Sequence, residues 1–330
     1  MFTWDNGLRV DPPGLWMDCR RPCDVCFVSH GHSDHLGRHE RAICTAETAA
    51  IAEQRVGLEG GTHLAFGEPF DFNADTKLTL VPAGHVLGSA MLHVERPEGS
   101  LLYTGDYKLR RSLTARTAEP PRADVLVMES TYGKPLFRFP PAAEVHEQLI
   151  DAITDAMAEG RQPIVYGYAL GKAQEIVKIL TDAGFPVTEH GAVRRLSDLY
   201  ESFGVPLGHR RAYDRWDFHG KRQLSLEERG VLVAPPNAAR GSFTSQFDNP
   251  FRVVMTGWSL FPNAIYRYGV DLALPLSDHA DYDELLTTID IVQPKSVYTH
   301  HGFKEFADDL RSRGIDAKLA RPPAQMELFG

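Results

Sequence analysis

The sequence predicts an α/β protein in which a second α/β domain interrupts the first. Two observations carry this prediction. Up to about residue 130, short apolar runs end in histidine, aspartate or glutamate, which is typical of strands that hold a site at the edge of a sheet. From about Pro135 helices and strands alternate, and near Val253 the first pattern resumes. We therefore predict a discontinuous domain, residues 1–134 and 251–330, around an inserted domain, residues 135–250.

Length and composition agree with a globular protein of this kind. The chain has 330 residues, 43% hydrophobic and 24% charged, so it exceeds the roughly 100–200 residues usual for one domain. No apolar run approaches the roughly 20 residues that span a bilayer, and no basic-then-apolar signal opens the chain, so we expect a soluble cytoplasmic protein. The net charge of −9 disfavours a nucleic-acid coat but is compatible with a nuclease whose acids bind metal ions.

The elements follow from periodicity and turn residues. Asn6-Gly7 is a strong hairpin signal, and Gly57 marks the end of an Ala-rich helix. The predicted strands lie at 2–10 (a hairpin), 15–17, 25–28, 77–81, 90–95, 101–104, 125–128, 163–168, 231–234, 253–258 and 296–302. The predicted helices lie at 45–56, at 142–159 and from Gly171 onward.

One stretch after a strand carries the strongest chemical signal. Residues 29–37 read Ser-His-Gly-His-Ser-Asp-His-Leu-Gly, with three histidines and an aspartate in six positions. On extended backbone His30 and His32 point to the same side and can bind one metal ion. Asp34 and His35 follow where the chain turns and can face a second ion. Imidazole and carboxylate are ligands that Zn²⁺, Mn²⁺ and Fe prefer.

Further polar residues stand just beyond predicted strands. They are Asp18, His85, Asp106, Glu129, His279 and His301. Because strand ends meet at one edge of a sheet, we expect these side chains and the histidine stretch to converge.

The four cysteines are Cys19, Cys23, Cys26 and Cys44, and three of them form a C-x3-C-x2-C run. We interpret them as buried or half-buried free thiols rather than a ligand set, because Cys26 lies inside a strand and no further cysteine pair follows.

The sequence resembles a known family. The His-Gly-His-Ser-Asp-His stretch at 30–35, with His85 and Asp106, resembles the ligand series of the metallo-β-lactamase fold. Residues 129–133, 277–281 and 301–302 resemble the additional motifs of its β-CASP nucleases, and the short chain resembles the bacterial DNA-ligase-associated exonucleases. The resemblance implies an αββα sandwich with a β-CASP domain inserted after Glu129, and a substrate that threads between the two.

The resemblance also implies two divalent metal ions, Zn or Mn. It assigns His30, His32 and His85 to one ion, Asp34, His35 and His301 to the other, and Asp106 to both. Each ion then has three or four nitrogen and oxygen ligands and keeps room for a shared hydroxide that attacks phosphorus.

Four residues are candidates for roles around the metal ions. His279, oriented by Glu129, is the candidate general acid that protonates the leaving oxygen; the alternative is a buried pair without a chemical role. We predict that Asp34 is a catalytic residue in addition to being a metal ligand. Asp18 is expected to orient a ligand histidine. At the last motif His300 competes with His301, but should face the other side of its strand.

Contacts with substrate phosphate are assigned to Ser130, Thr131 and Lys172. The hydroxyls of Ser130 and Thr131 can hold the scissile phosphate. The helix that starts at Gly171-Lys172 offers free N–H groups and a cation, although a plain helix start with a solvated lysine explains it equally well.

We predict a nuclease of single-stranded nucleic acid, a DNA exonuclease in DNA repair with a functional association with a DNA ligase. The alternative is an RNA-processing endonuclease or 5′ exonuclease: in the family, histidine at the position of His301 accompanies RNA-processing members. A small-molecule metallo-hydrolase and an inactive nucleic-acid-binding subunit are weaker alternatives, the second because none of the seven ligands is missing.

Overall fold

The computed structural model describes residues 2–4, 7–220, 223–240, 243 and 246–320. The chain divides into two compact units, the first comprising Met1–Arg138 with Asp278–Gly330 and the second Phe139–Ser277. Strands and helices mix in both, which confirms the predicted α/β class. No helix of the described residues is long and apolar enough to cross a membrane.

The strands of the described residues are β1 (Phe2–Trp4), β2 (Leu8–Val10), β3 (Leu15–Met17), β4 (Val25–Phe27), β5 (Arg41–Cys44), β6 (Thr62–His63), β7 (Phe70–Asn73), β8 (Thr76–Pro82), β9 (Ala90–Arg96), β10 (Gly99–Tyr103), β11 (Val125–Ser130), β12 (Gln162–Tyr166), β13 (Val187–Glu189), β14 (Arg210–Ala212), β15 (Val231–Ala234), β16 (Pro250–Met255), β17 (Leu272–Leu274), β18 (Ser296–Gly302) and β19 (Ala317–Leu319). The helices are α1 (Ala46–Val56), α2 (Ala142–Ala158), α3 (Lys172–Asp182), α4 (Gly191–Ser202), α5 (Arg215–Phe218), α6 (Leu226–Arg229), α7 (Ala264–Tyr268), α8 (Tyr282–Val292) and α9 (Lys304–Ser312), with 3₁₀ turns at Pro236–Arg240 and Gly257–Leu260.

The first unit contains two sheets. Their strand orders are β1-β2-β3-β4-β5-β6 and β19-β18-β11-β10-β9-β8-β7. A core that includes Phe27 and Ile43 of the first sheet and Leu92 and Tyr103 of the second fills the space between them. Helices cover the outer faces, because α1 packs on the first sheet while α8 and α9 pack on the second. Each sheet therefore buries both faces.

The second unit is built on one parallel sheet of order β14-β13-β15-β12-β16-β17. Its central strands β12 and β15 are buried along their whole length, as in sheets covered on both faces.

The position of residues 251–277 differs from the sequence-based division, which placed them in the discontinuous domain. In the structure β16 pairs with β12, and β17 extends the same sheet. A short apolar run such as that around Val253 indicates a buried strand but not which sheet it joins.

Candidate metal centre

The predicted metal ligands lie in the first unit, where loops and strand ends from both of its sheets bring them together. The stretch 30–35 follows β4 of the first sheet. His85 follows β8, Asp106 follows β10 and His301 lies near the end of β18, all in the second sheet. The expectation of a single sheet is therefore corrected: two sheets supply the side chains.

One group of ligand atoms is formed by His30, His32, His85 and Asp106, all within 4.8 Å of one another. Nδ1 of His32 lies 3.1 Å from Nε2 of His30 and 3.0 Å from Nε2 of His85. Three ring nitrogens thus face a common point, which is the arrangement that a metal ion with imidazole ligands requires.

A second group is formed by Asp34, His35 and His301, whose ligand atoms also lie within 4.8 Å of one another. Asp106 connects the two groups. Its Oδ2 lies 3.3 Å from Nε2 of His35 and 3.5 Å from Nε2 of His30. One carboxylate oxygen thus lies between the two groups of ligand atoms.

Unsatisfied polar atoms test whether these residues fit metal ions. Among the described residues, the buried Nε2 of His35 and Oδ1 of Asp106 have no hydrogen-bond partner. Leaving such a buried group unsatisfied costs about 1–3 kcal/mol. Divalent cations would satisfy both atoms, and the nitrogen and oxygen donors match the preference of Zn²⁺ and Mn²⁺. The residues therefore fit a pair of such ions.

The electrostatic environment keeps three of the four members of the first group in the state that binds metal. Burial and neighbouring histidines lower the pKa of His30 and of His85 well below the usual value, so both rings stay neutral. Burial opposes the charge on Asp106, but neighbouring histidines, His35 first, hold its pKa well below the usual range. Metal ligands of these types must be deprotonated, and these are.

Asp18 fixes the orientation of His35. Oδ2 of Asp18 accepts hydrogen bonds from His35 Nδ1 at 2.9 Å, Tyr103 Oη at 2.8 Å and Ser29 Oγ at 2.6 Å. Because Nδ1 donates to a carboxylate, Nε2 is the atom of His35 that can bind a metal ion, and it faces Asp106. Sequence reasoning assigned Asp18 this role but missed Tyr103 and Ser29, because no local pattern marks them.

A β-bulge turns His301 toward the second group. Along the β11–β18 pair, Glu129 lies opposite His300 but Ser130 lies opposite Gly302, so His301 is the extra residue. Its φ of 47° is in the left-handed region. His300 instead stacks on Tyr103, with ring centroids 5.4 Å apart. His300 is not part of either ligand group found among the described residues at this centre.

Hydrogen bonds at His85 and Gly88 hold the loop that carries His85 in place. Nδ1 of His85 donates to the carbonyl of Asp278 at 2.9 Å, which leaves Nε2 as the ligand atom. The hydroxyls of Thr45 and Thr48, at the start of α1, donate to the carbonyl of Gly88 at 2.7 and 3.0 Å. Gly88 has φ 73°, and a Cβ there would lie 2.6 Å from the Cβ of Glu47. This close approach requires glycine.

Beside the ligands, Glu129 is fully buried and hydrogen-bonds to His279. Nδ1 of His279 lies 2.9 and 3.0 Å from the two carboxylate oxygens. The Tyr107 N–H donates to Glu129 Oε1 at 2.8 Å, and the Thr131 hydroxyl donates to Oε2. Burial opposes protonation of His279, but Glu129 and Asp106 outweigh it and raise its pKa to about 9. The ring is therefore cationic, and its centroid is 4.7 Å from that of His85.

The residues assigned to substrate phosphate lie in different surroundings. Ser130 is buried and its hydroxyl donates to the His300 carbonyl at 3.3 Å. The Thr131 hydroxyl lies against Glu129 and the carbonyl of His301. Both hydroxyls thus connect the end of β11 to the end of β18. Lys172, the first residue of α3, belongs to the second unit and is buried, so it is not a solvated lysine.

Sequence comparisons relate the chain to several known proteins. The family model described as Zn-dependent metallo-hydrolase RNA specificity domain matches residues 273–320. The chain is 39% identical to a protein named probable DNA ligase from Opitutus terrae, over 99% of this chain and 32% of that protein. It is 29% identical to the RNase J-like protein of Methanocaldococcus jannaschii, over 90% of this chain and 86% of that protein. The chain thus spans about a third of the length of the first relative.

A solved structure shows the same fold. It is the crystal structure of a protein of unknown function from Enterococcus faecalis V583, with a TM-score of 0.58 and 16% identity. The similarity covers 84% of this chain and 75% of that one.

Proposed function

Because this chain belongs to the β-CASP nucleases of the metallo-β-lactamase fold, we propose that it is a metal-dependent phosphodiesterase of single-stranded nucleic acid, acting as a DNA exonuclease in DNA repair. One observation carries the proposal: Asp106 connects two groups of nitrogen and oxygen ligands, and the pair of Glu129 and His279 lies beside them. A centre for hydrolysis and a proton donor thus share one site.

The fold that accompanies this proposal is the αββα sandwich with an inserted β-CASP domain. The order helix, sheet, sheet, helix in the packing of the first unit supports it. The separate parallel sheet of the second unit supports the insertion.

The ligand assignment follows the two groups. His30, His32 and His85 would hold one ion, Asp34, His35 and His301 would hold the other, and Asp106 would serve both. The chemistry that two divalent cations supply in such a site is Lewis acidity toward water and toward the phosphate oxygens. Asp34 has a side chain that is 60% exposed, so it can accept a proton from water that enters the site.

His279 supplies the proton that the departing oxygen needs. Its Nδ1 is held by Glu129, so Nε2 is the atom that donates. The side chain is 25% exposed, which leaves one edge of the ring accessible to a substrate. Because Glu129 is itself held by Tyr107 and Thr131, the donor has a fixed direction before substrate binds.

The choice of DNA rests on the relative that is named probable DNA ligase, since nearly all of this chain is similar to part of that protein. That arrangement also supports functional association with a DNA ligase. The second candidate is an RNA-processing endonuclease or 5′ exonuclease. It is favoured by the RNase J-like relative and by the description of the matched family model.

End-labelled substrates test the proposal. Single-stranded DNA and RNA of one sequence, each labelled at the 5′ end, are incubated with the protein and Zn²⁺ or Mn²⁺ separately. A DNA exonuclease converts the DNA to mononucleotides or a regular ladder and leaves the RNA largely intact. Preferential cleavage of the RNA would favour the second candidate, and cleavage of neither would refute both. His32→Ala serves as the inactive control.

A further inference from the structure

A second cluster of metal-ligating side chains lies in the first unit, apart from the residues assigned above. It is formed by Cys23, Cys26 and His39, whose ligand atoms lie within 4.8 Å of one another. Sγ of Cys23 lies 3.1 Å from Nδ1 of His39. Hydrogen bonding with the thiols of Cys26 and Cys19 lowers the pKa of Cys23 despite its partial burial. The thiol of Cys19 hydrogen-bonds with that of Cys23 but lies outside the group of three, and we count it as the fourth member of this cysteine–histidine cluster.

Three neighbouring strands of the first sheet bring these side chains together. Cys26 is the central residue of β4, and β3 and β5 pair with it on either side. Cys19 follows β3, and its N–H donates to Sγ of Cys26 at 3.4 Å. Cys23 precedes β4, and His39 precedes β5. One member of the cluster therefore lies in the sheet, and the other three lie in the connections next to its strands.

Three members of the cluster are buried. Cys19 is 3% exposed, Cys26 0% and His39 7%. Nδ1 is the His39 atom that faces the cysteines. A Cβ at Gly37 would lie 2.7 Å from Cε1 of His39 and 2.6 Å from the carbonyl oxygen of Cys19, so glycine is needed for the ring to approach the cysteines.

We propose that Cys19, Cys23, Cys26 and His39 bind a structural zinc ion. Three thiolates and one imidazole form a closed tetrahedral set, which is typical of structural zinc and unlike the nitrogen and oxygen ligands of a catalytic centre. With Zn–S of about 2.3 Å and Zn–N of about 2.0 Å, ligand atoms lie roughly 3.5–3.8 Å apart. The ligand atoms of Cys23, Cys26 and His39 already lie within 4.8 Å of one another, and the thiol of Cys19 would have to move toward them.

The sequence alone favoured free thiols, because no second cysteine pair follows the C-x3-C-x2-C run. The missing ligand is His39, which only the pairing of β4 with β5 brings near the cysteines. The ion has a structural consequence. Cys19 directly follows Asp18, which has φ 48° and orients His35. Zinc in the cluster holds this turn in place.

Metal content and a cobalt spectrum test the proposal. The double variant Cys23→Ser, Cys26→Ser should contain one zinc equivalent per chain less than the wild type, by mass spectrometry of the metal. Cys44→Ser is the matched control: Cys44 is also buried in this sheet, but lies outside the cluster, and its variant should keep the wild-type content. With Co²⁺ added, the wild type and the control should show a sulfur-to-cobalt charge-transfer band that the double variant lacks.

If the double variant fails to fold, a measurement on the wild-type protein still tests the proposal. Titration of wild-type thiols with a mercurial should release one zinc equivalent, detected with a chromogenic chelator. The same release should occur in His30→Ala, His32→Ala, so the result is independent of the proposed nuclease centre. Absence of the charge-transfer band, no zinc release, or an intramolecular disulfide between Cys23 and Cys26 in the protein as isolated would each overturn the proposal.

Discussion

Nδ1 of His279 lies almost equally close to both carboxylate oxygens of Glu129, at 2.9 and 3.0 Å. The two residues are 150 positions apart in the chain, at the end of β11 and just before α8. Glu129 is fully buried beside a cationic ring. A catalytic role of the pair requires that His279 exchange its proton with a group in the site. The first two predictions test that function.

His279→Ala should lower the rate of the chemical step by about 10²–10³-fold with little change in KM, because general acid catalysis is typically worth about 10²–10⁴-fold. The loss should be much smaller for a substrate with a good leaving group such as p-nitrophenolate, which departs without a proton. Single-turnover rates on the two substrate types measure this. Equal losses on both would show that His279 is not the acid.

The rate should also depend on pH through the same pair. Burial opposes protonation of His279, but Glu129 and Asp106 raise its pKa to about 9, so the donor form is present at neutral pH and lost as the pH rises through this value. Glu129→Gln removes a negative charge, which lowers the pKa of His279 and should move the alkaline limb of the pH–rate profile to lower pH. The exposed Glu98→Gln should leave the limb in place. An unshifted limb in Glu129→Gln would contradict this coupling.

Asp18→Asn should weaken binding of the second metal ion by about 10–100-fold, a loss typical of a removed partner of a ligand histidine. The amide no longer favours the proton on Nδ1 of His35. Competition with a chromogenic chelator measures the affinity. Tyr103→Phe removes one donor to Asp18 but keeps its charge, so its effect should be smaller. Unchanged affinity in Asp18→Asn would exclude the orienting role.

In the second unit, Arg210→Ala should lower the free energy of unfolding by about 3 kcal/mol, because it leaves a buried carboxylate without its main partner. The guanidinium of Arg210 lies 2.8 Å from Glu189, and the two side chains are 2% and 0% exposed. Adding Glu189→Gln to this variant should restore part of the loss. Urea unfolding of the wild type, Arg210→Ala and the double variant measures both effects. If the double variant is no more stable than Arg210→Ala, an unpaired charge on Glu189 is not the cause of the destabilisation.

Local signals in the sequence were sufficient for much of the fold. Thr45 and Gly57 bound α1 as a side-chain cap and a left-handed residue, so its predicted extent was within one residue of the observed helix. Likewise, the histidine stretch and the polar residues after strands could be predicted as site residues because each stands at the end of an apolar run.

The same local signals could not predict which strands pair when they are far apart in the chain. Nothing local shows that β16 joins the sheet of β12, or that a bulge opposite Ser130 turns His301 out of the strand alternation. His39 was overlooked for the same reason, since its neighbours in space come from two other strands. Side-chain partners such as Tyr103 depend on how the two sheets pack, which a linear pattern does not encode.

The most direct test of the proposed nuclease centre is the rate of hydrolysis of a single-stranded oligonucleotide by the wild type as isolated, after removal of metal with a chelator, and after addition of Zn²⁺ or Mn²⁺. Asp106→Asn is measured in parallel, because its carboxylate lies between both ligand groups. We predict a loss of at least about 10²-fold on metal removal, recovery on metal addition, and no recovery in Asp106→Asn. Full activity in the metal-free wild type, or in Asp106→Asn, would contradict a two-ion phosphodiesterase.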